Sequence, residues 1–335
     1  MRGEGERSKL QHQANDDCRA FPDMVMKVLV TGATGFVGQE VLGQLHSAAH
    51  SIRILVRQPR THRLQKIASE YHPEIYQGDV LETKTIEGSL AGVDAVIHLV
   101  GIISEVGTQT FENVHIRGTH NVVEASRKFP IKRLVHMSAL GTRAQARSRY
   151  HQSKWAAEEI VRQSGLAVTI FRPSLIYGTG DLFVNLFEKL SRFSPFLPVM
   201  GTGRGKLQPV PVDAVALAFM KSLTEPKAIG QTYDLCGPDR LTLVEVLDAI
   251  LAVTGRRRIR LHLPMPLAWR LAMLLEFIFP RLLKRPPPLN REQLLMLQED
   301  NIGDPAPANR LFGLEPIPFR EGIARFLKSG PGQVP

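Results

Sequence analysis

Tyr150 and Lys154 lie four residues apart in the segment SRYHQSKWAAEE, residues 148–159. On an α-helix this spacing places both side chains on one face, a single turn apart. A lysine ammonium near a phenol favours the phenolate and lowers the tyrosine pKa. Such a tyrosine can act as an acid or base near neutral pH. The alternative is two unrelated side chains on a helix surface, so the interpretation depends on the surrounding elements.

A glycine-rich loop, TGATGFVG, follows the apolar run KVLVT at 27–31 and opens a stretch with helical spacing. Its glycines follow the pattern G-x-x-G-x-x-G, which lets the backbone approach a pyrophosphate at a helix N-terminus. This context predicts a dinucleotide site rather than a turn needed only for packing. The residues expected to form it are Gly32, Thr34, Gly35, Phe36, Val37 and Gly38.

The stretch from Val41 to Ser69 holds no acidic residue but several basic ones. NAD-binding loops usually place Asp or Glu about 20 residues on, to bind the ribose 2′-hydroxyl. Arg57 stands there instead, at the end of the second predicted strand, and a guanidinium suits a 2′-phosphate. The sequence therefore favours NADP(H) over NAD(H), the alternative being a solvated basic surface. Asp79 and Val80 follow the third strand, where the adenine is expected.

Apolar strands alternate with helical stretches through the first half of the chain. This alternation predicts right-handed βαβ units and an α/β fold with a doubly wound parallel sheet, the Rossmann arrangement. We expect a disordered tail over 1–25, a cofactor domain over 26–178 and a smaller interleaved C-terminal part over 179–330. The strand at 231–237 is expected to stand apart. The six predicted strands are 27–31, 52–57, 75–80, 94–101, 133–140 and 167–178.

Composition narrows the class of protein. Of 335 residues, 43% are hydrophobic and 22% charged, as is usual for a globular protein. Cys18 and Cys236 form neither a metal-ligand spacing nor a disulfide framework, which favours a reducing compartment such as the cytoplasm. The histidines show no metal spacing, and no nucleic-acid-binding signature is present.

Much of the net charge of +10 is local, because residues 256–285 hold eight basic residues and one acid. Within this segment, 266–285 is apolar around most of a helix, although Arg270, Glu276 and Arg281 argue against a membrane span. One interpretation is a helix buried in the C-terminal part. The other is an interfacial helix that touches anionic lipid at the inner face of a membrane, or a membrane-bound partner. The interpretation as an interfacial helix fits a lipophilic substrate of the quinone or polyprenyl type.

Taken together, these motifs resemble the short-chain dehydrogenase/reductase superfamily, in its extended and atypical branches. The segments SRYHQSKWAAEEIVR, FRPSLIYGTGDLFVNLF and LQPVPVDAVA are similar to the nucleotide-binding accessory subunit of respiratory complex I and its bacterial relatives. The resemblance extends from about Lys27 to Pro318. It implies a bound NADPH, which in the complex I subunit serves structure or regulation rather than the main electron path.

The resemblance also implies roles for individual residues. Tyr150 becomes the acid/base, and Lys154 lowers its pKa and binds the nicotinamide ribose. Ser138 orients a substrate carbonyl, and Asn113 is a structural or proton-relay residue. The residues implied to lie along the cofactor are Val100, Gly101, Arg172 and Pro173.

These observations favour an NADP(H)-binding oxidoreductase, with a link to quinone metabolism or complex I. Two alternatives remain open. One is a non-catalytic NADPH-binding accessory or assembly protein. The other is a sugar-nucleotide epimerase or dehydratase, for which Arg204 and Lys206 could bind the diphosphate.

Overall fold

The computed structural model describes residues 25–327, so the tail expected at the N-terminus lies almost wholly outside the described residues. Its centre is a seven-stranded sheet in the order β3-β2-β1-β4-β5-β6-β11, and every pairing in this sheet is parallel. The main-sheet strands are β1 Lys27–Thr31, β2 Ser51–Val56, β3 Glu74–Gln77, β4 Ala95–His98, β5 Arg133–Met137, β6 Val168–Pro173 and β11 Gln231–Leu235.

Helices cover both faces of this sheet, because its inner strands carry apolar side chains on both sides. One face packs on Val41, Val215 and Phe312, and the other on Val122 and Val161. The α-helices are α1 Phe36–Ser47, α2 His62–Tyr71, α3 Thr83–Ser89, α4 Gly118–Arg127, α5 Arg149–Arg162, α6 Val184–Phe193, α7 Val212–Ser222, α8 Leu243–Thr254, α9 Met265–Ile278, α10 Arg291–Met296, α11 Ala306–Phe312 and α12 Phe319–Leu327. Two π-helices, Glu112–Arg117 and Phe279–Leu283, and the 3₁₀ turn Pro226–Ala228 complete the helical segments.

The expected doubly wound parallel sheet is confirmed, with two differences in its strands. The sixth predicted strand is broken after Pro173 and resumes as the short β7, Ile176–Tyr177. The strand β11 was expected to stand apart, and this was wrong, since it pairs with β6 along its full length. The backbone groups on the outer edge of β6 gain partners in this way.

Short strand pairs and helices from the C-terminal half form a second core. Tyr177, Leu247 and Phe319 are buried together there, with the rings of Tyr177 and Phe319 edge-to-face at 5.0 Å. This core brings the chain after residue 290 back over the carboxyl ends of β5 and β6, where Asn301 binds the carbonyl of Leu140. The remaining strands are β8 Phe196–Met200, β9 Lys206–Leu207, β10 Val210–Pro211, β12 Leu241–Thr242 and β13 Ile259–Leu263.

Helix α9 and the π-helix that follows it correspond to the apolar, basic-flanked segment. Only Ala268 and Ala272 of α9 are buried. Leu274 and Phe277 are 54% and 59% exposed. The core interpretation of this segment is therefore wrong, because the helix has too few neighbours to cover its apolar circumference. Within residues 25–327, no helix is long and apolar enough to cross a membrane.

Candidate functional site

The glycine loop joins β1 to α1 and packs tightly against its surroundings. Gly32 has φ +81°, and a Cβ there would lie 3.0 Å from the carbonyl carbon of Leu99. A Cβ on Gly38 would lie 2.3 Å from the carbonyl oxygen of Gly32. Only glycine fits these two positions, which bring the start of α1 close to β1 and β4.

The N-terminus of α1 is open to an anion. Its N-cap, Gly35, offers no side chain, and the first turn, which includes Phe36 and Val37, holds no acidic residue. Unsatisfied N–H groups and the helix dipole make such an end a favourable site for a phosphate. The loop with Thr34 therefore fits the pyrophosphate of a dinucleotide.

Basic side chains surround the far end of this loop. Arg57 is exposed directly after β2. Arg63 donates from Nη1 to the carbonyl of Thr34 at 3.0 Å, which places its guanidinium over the glycine loop. Arg53 is already occupied, because it binds Glu74 and the carbonyl of Ser89. The arginines that remain available to a ribose phosphate thus include Arg57, directly after β2, and Arg63, on α2.

Asp79 and Val80 follow β3. The carboxylate of Asp79 accepts from the backbone N–H of Leu81 at 3.0 Å, and Val80 is buried against Gly118. Val100 and Gly101 follow β4, with Gly101 exposed. These residues therefore lie at the carboxyl ends of their strands, where ligands bind in open α/β sheets.

Lys154 is buried at the carboxyl ends of β4 and β5. Its Nζ donates to the carbonyl of Met137 at 3.0 Å, and a Cβ on Gly101 would lie 3.1 Å from the same Nζ. Burial lowers the pKa of Lys154 to about 8, while the nearby carboxylate of Glu158 raises it. The result is an ammonium that faces the bare backbone of Gly101.

Tyr150 stands one turn before Lys154 on α5. Its ring contacts Phe111 and His115 edge-on, at centroid distances of 5.9 and 5.6 Å. Among residues 25–327 its hydroxyl makes no hydrogen bond, so the proton is free to meet a ligand. Burial raises the pKa of Tyr150 to about 12. The expected lowering by Lys154 is therefore not found, because the lysine donates to Met137 and desolvation of the phenolate dominates.

Ser138 follows β5 directly, next to the carbonyl that Lys154 binds. The residue is buried, and its hydroxyl donates to the hydroxyl of Thr142 at 3.4 Å. Its backbone N–H donates to Phe171 of β6. The structure thus brings Ser138, Tyr150 and Lys154 to one edge of the sheet.

Asn113 does not join this group. Its amide donates to the carbonyl of Thr108 and accepts from Arg117, both near the surface. The π-helix Glu112–Arg117 explains the difference, since one extra residue per turn rotates the following side chains by about 100°. His115 faces the site instead.

His115 connects three backbone segments, and the sequence reasoning missed it. Ser153 donates its hydroxyl proton to the carbonyl of Tyr150, so its oxygen accepts from Nδ1 of His115 at 2.8 Å. Nε2 then accepts from the N–H of Ile102 at 3.0 Å. Burial and the charge of Lys154 lower the pKa of His115 to about 2, so the ring is neutral. No sequence spacing indicates this, because the π-turn is invisible to a 3.6-residue period.

Two further histidines lie below the site, inside the sheet. His98 bonds Thr31 at 2.7 Å and Thr119 at 3.1 Å. His136 stacks on His98 at 5.4 Å, and neither of its ring nitrogens has a partner. Burial lowers the pKa of His98 to about 3 and that of His136 well below its usual value. Within residues 25–327, no cluster of His, Cys, Asp and Glu could bind a metal ion.

Arg172 and Pro173 end β6, one strand beyond Ser138. Arg172 makes two hydrogen bonds to the buried Glu158, at 2.8 and 2.7 Å, and its guanidinium lies 5.9 Å from the Trp155 ring. Arg172 therefore anchors α5, the helix of Tyr150 and Lys154, to the sheet. Pro173 is buried, and its carbonyl accepts from the N–H of Leu140 in the loop after Ser138.

Comparison with known proteins agrees with this geometry. A family model described as NAD(P)H-binding matches residues 32–184. A ceramide reductase of Caulobacter vibrioides is 30% identical over 241 residues, which cover 71% of this chain and 74% of the relative. This chain belongs to the extended short-chain dehydrogenase/reductase superfamily.

Other members of the superfamily match a larger share of the chain. The NADH dehydrogenase (ubiquinone) 1 alpha subcomplex subunit 9 of Arabidopsis thaliana is 28% identical, over 90% of this chain and 78% of the relative. A 2-alkyl-3-oxoalkanoate reductase of Stenotrophomonas maltophilia is 27% identical, over 91% and 99%. A UDP-glucuronic acid 4-epimerase from Bacillus cereus, 18% identical, has the same fold, with a TM-score of 0.69 over 91% of this chain and 99% of that chain.

The glycine loop lies within the residues that the NAD(P)H-binding family model matches. Near the carboxyl ends of β4 and β5 lie the hydroxyl of Ser138, the ammonium of Lys154 and, one turn earlier on α5, the phenol of Tyr150. Such an arrangement can bind a ribose, hold a carbonyl oxygen and deliver a proton.

Proposed function

We propose that this chain is an NADP(H)-dependent reductase of a lipophilic carbonyl compound. The observation that carries the proposal is the phenol of Tyr150, whose hydroxyl has no hydrogen-bond partner among residues 25–327, one turn before the buried ammonium of Lys154, which faces Gly101. In this proposal residues 26–178 bind the cofactor, and residues 179–330 bind the substrate and any partner.

NADPH, when bound, supplies a hydride to the carbonyl carbon. The carbonyl oxygen then becomes an alkoxide that needs a proton, and Tyr150 donates it. Ser138 donates a hydrogen bond to the same oxygen, which holds it at the phenol. Lys154 binds the nicotinamide ribose through its ammonium.

The protonated state of Tyr150 is the one that carbonyl reduction needs. A phenol with a pKa of about 12 is protonated at neutral pH and can act as the acid. Oxidation of an alcohol would need the same residue as a base, and this requires the phenolate. We therefore expect carbonyl reduction to be faster than the reverse reaction at pH 7.

A preference for NADPH rests on the basic side chains around the 2′-position. Arg57 is exposed where β2 ends, and Arg63 sits over the glycine loop. No acid lies between Val41 and Ser69 to bind a free 2′-hydroxyl. A 2′-phosphate would gain charge-assisted hydrogen bonds from these guanidinium groups.

A lipophilic substrate agrees with the surface of the C-terminal part. The outer face of α9 exposes leucines. Arg270 lies within α9, Lys284 and Arg285 follow it, and all three are exposed and form no ion pair within residues 25–327. We propose that this face rests on an anionic bilayer. Two relatives are named for the reduction of a ceramide and of a 2-alkyl-3-oxoalkanoate. A quinone is the alternative substrate, because other relatives are named as subunits of a ubiquinone reductase.

The same matches to complex I subunits support a second candidate, an NADPH-binding accessory protein without turnover. The sugar-nucleotide alternative has less support. Arg204 and Lys206 are exposed, and Lys206 is held by its backbone N–H to Asp300.

Tyr150→Phe tests the proposal. NADPH oxidation is measured with a panel of long-chain ketones, 3-oxoacyl compounds, quinones and sugar nucleotides, for wild type and variant side by side. We expect wild type to reduce a long-chain carbonyl and the variant to lose at least a hundredfold in kcat, with NADPH affinity retained. Equal turnover would remove Tyr150 as the acid. No turnover, with a large NADPH-dependent rise in Tm, would favour the accessory protein.

A further inference from the structure

A cavity of about 350 Å³ lies beside Tyr150, between α5 and α9. This volume is within the usual range for a small-molecule site, roughly 300–1,000 Å³. Its apolar wall consists of Phe111, Trp269, Pro280 and Pro287. The ring of Phe111 also contacts the ring of Tyr150, at a centroid distance of 5.9 Å, so one side chain separates the cavity from Tyr150.

The polar wall of the cavity carries an uncompensated negative charge. Arg149 pairs with Glu105 at 3.3 Å, and Arg291 pairs with Glu276 at 2.7 Å. Glu292 has no cationic partner in the described part of the chain. Its carboxylate accepts from the backbone N–H of Tyr150 at 3.4 Å. A negatively charged head would therefore be repelled by a carboxylate near Tyr150, whereas a neutral head would not be repelled and a cationic head would be attracted.

Helix α9 separates this cavity from the exposed apolar face. Trp269 and Glu276 are seven residues apart, so they share the inner side of α9 and line the cavity, together with Pro280 of the π-helix that follows. Leu267 and Leu274 lie on the opposite side and are exposed. An α-helix with its side chains is about 10–12 Å across. The cavity is thus one helix away from the face proposed to rest on lipid.

We propose that this cavity binds a hydrocarbon chain of an amphiphile whose head is not anionic, and that it sets the substrate class. The aromatic and proline wall contacts the chain, and Glu292 selects against phosphate, diphosphate and carboxylate heads. The inference rests on the proposed function only in that the carbonyl of this amphiphile is the group presented to Tyr150.

Energy transfer from Trp269 tests the binding directly. The chain has two tryptophans, and Trp155→Phe leaves Trp269 as the only donor. The probes are cis-parinaric acid and its methyl ester, which share one fluorescent chain and differ in head charge. We expect saturable transfer to the ester, with a Kd at least tenfold lower than that of the acid. Equal affinity for acid and ester would overturn the selection by Glu292.

Three variants in the Trp155→Phe background locate the probe. Ser104→Phe fills the cavity and should weaken ester binding at least tenfold, with folding checked by NADPH affinity. Glu292→Gln should bring the acid within about threefold of the ester. Leu182→Glu changes an exposed leucine that does not line the cavity and should alter neither Kd. Transfer that Ser104→Phe leaves unchanged would indicate adsorption to the surface and overturn the proposal.

The binding assay needs no turnover, so the two proposals fail separately. Ester binding in the cavity without reduction of any carbonyl would uphold the site and remove the reductase. Reduction of a carbonyl by a protein that does not bind the ester would uphold the reductase and remove the chain site.

Discussion

At the scale of single residues, burial decides the properties of the candidate site. Tyr150 and Lys154 have the spacing that suggests mutual pKa adjustment, yet burial raises one pKa to about 12 and lowers the other to about 8. Both shifts favour the neutral forms of the two groups. The pair is therefore suited to donate a proton rather than to remove one.

Substitution of His115 tests whether this residue, rather than Asn113, supports the site. His115→Ala leaves the N–H of Ile102 without its buried partner, at a cost of about 1–3 kcal/mol, and frees the loop next to Lys154. We expect a loss of at least tenfold in kcat or NADPH affinity, measured by steady-state kinetics and fluorescence titration. Asn113→Ala, at the position that the resemblance singled out, should change either value by less than threefold. A larger loss of kcat or NADPH affinity for Asn113→Ala than for His115→Ala would contradict the geometry.

Cofactor choice is also a property of individual side chains. Arg57→Asp places a carboxylate where β2 ends and should raise the Kd for NADPH at least tenfold, because a 2′-phosphate would be repelled. The Kd for NADH should change less, so that the preference narrows or reverses. Arg127→Asp, the same charge change on α4, is the control. Equal affinity of the wild type for the two cofactors would refute the preference at the outset.

At the scale of elements, helix α9 differs from a core helix because many of its apolar side chains are exposed. Its apolar outer face has no covering partner within residues 25–327, and basic residues stand at both ends. Each basic residue near an anionic surface contributes about 1 kcal/mol before screening. The helix therefore combines apolar contact with electrostatic attraction, as interfacial helices do.

Vesicle sedimentation tests this interpretation. We expect the protein to bind anionic vesicles at low salt, to bind them less at high salt and to leave neutral vesicles largely unbound. Phe277→Glu should weaken binding at least fivefold, and Leu182→Glu should not, although both add one carboxylate to an exposed apolar position. Equal binding to both vesicle types, or none, would indicate that the face contacts a protein instead.

At the scale of the whole molecule, buried neutral histidines make the fold sensitive to acid. The pKa of His98, His115 and His136 lies below 6.5 in the folded chain and near 6.5 in the unfolded chain. Their contribution to the free energy of unfolding is thus complete above pH 6.5 and is lost as the pH falls below that value. The site and the stability of the sheet depend on the same ring nitrogens staying neutral.

His136→Phe should reduce this sensitivity, because it removes a ring with two unpartnered nitrogens. Between pH 7 and 5.5, the wild type should lose about 1 kcal/mol more of its free energy of unfolding than the variant does. Urea unfolding at the two pH values measures the difference. His120→Phe, at an exposed position on α4, should leave the pH dependence as in the wild type. An unchanged slope for His136→Phe would contradict the prediction.

The pattern of residues alone was enough to predict the parallel sheet, the glycine loop and the position of Ser138 at the end of β5, next to the carbonyl that Lys154 binds. These features follow from local periods, because alternating apolar strands and helices admit few arrangements and strand ends meet at one edge. Only the tertiary structure decided that His115 rather than Asn113 faces the site, that β11 joins the main sheet and that α9 is exposed. His115 faces the site because a π-turn changes the helical phase. The strand β11 joins the main sheet because the edge of β6 is nearest to it in space. Helix α9 is exposed because too few neighbours remain to cover its surface.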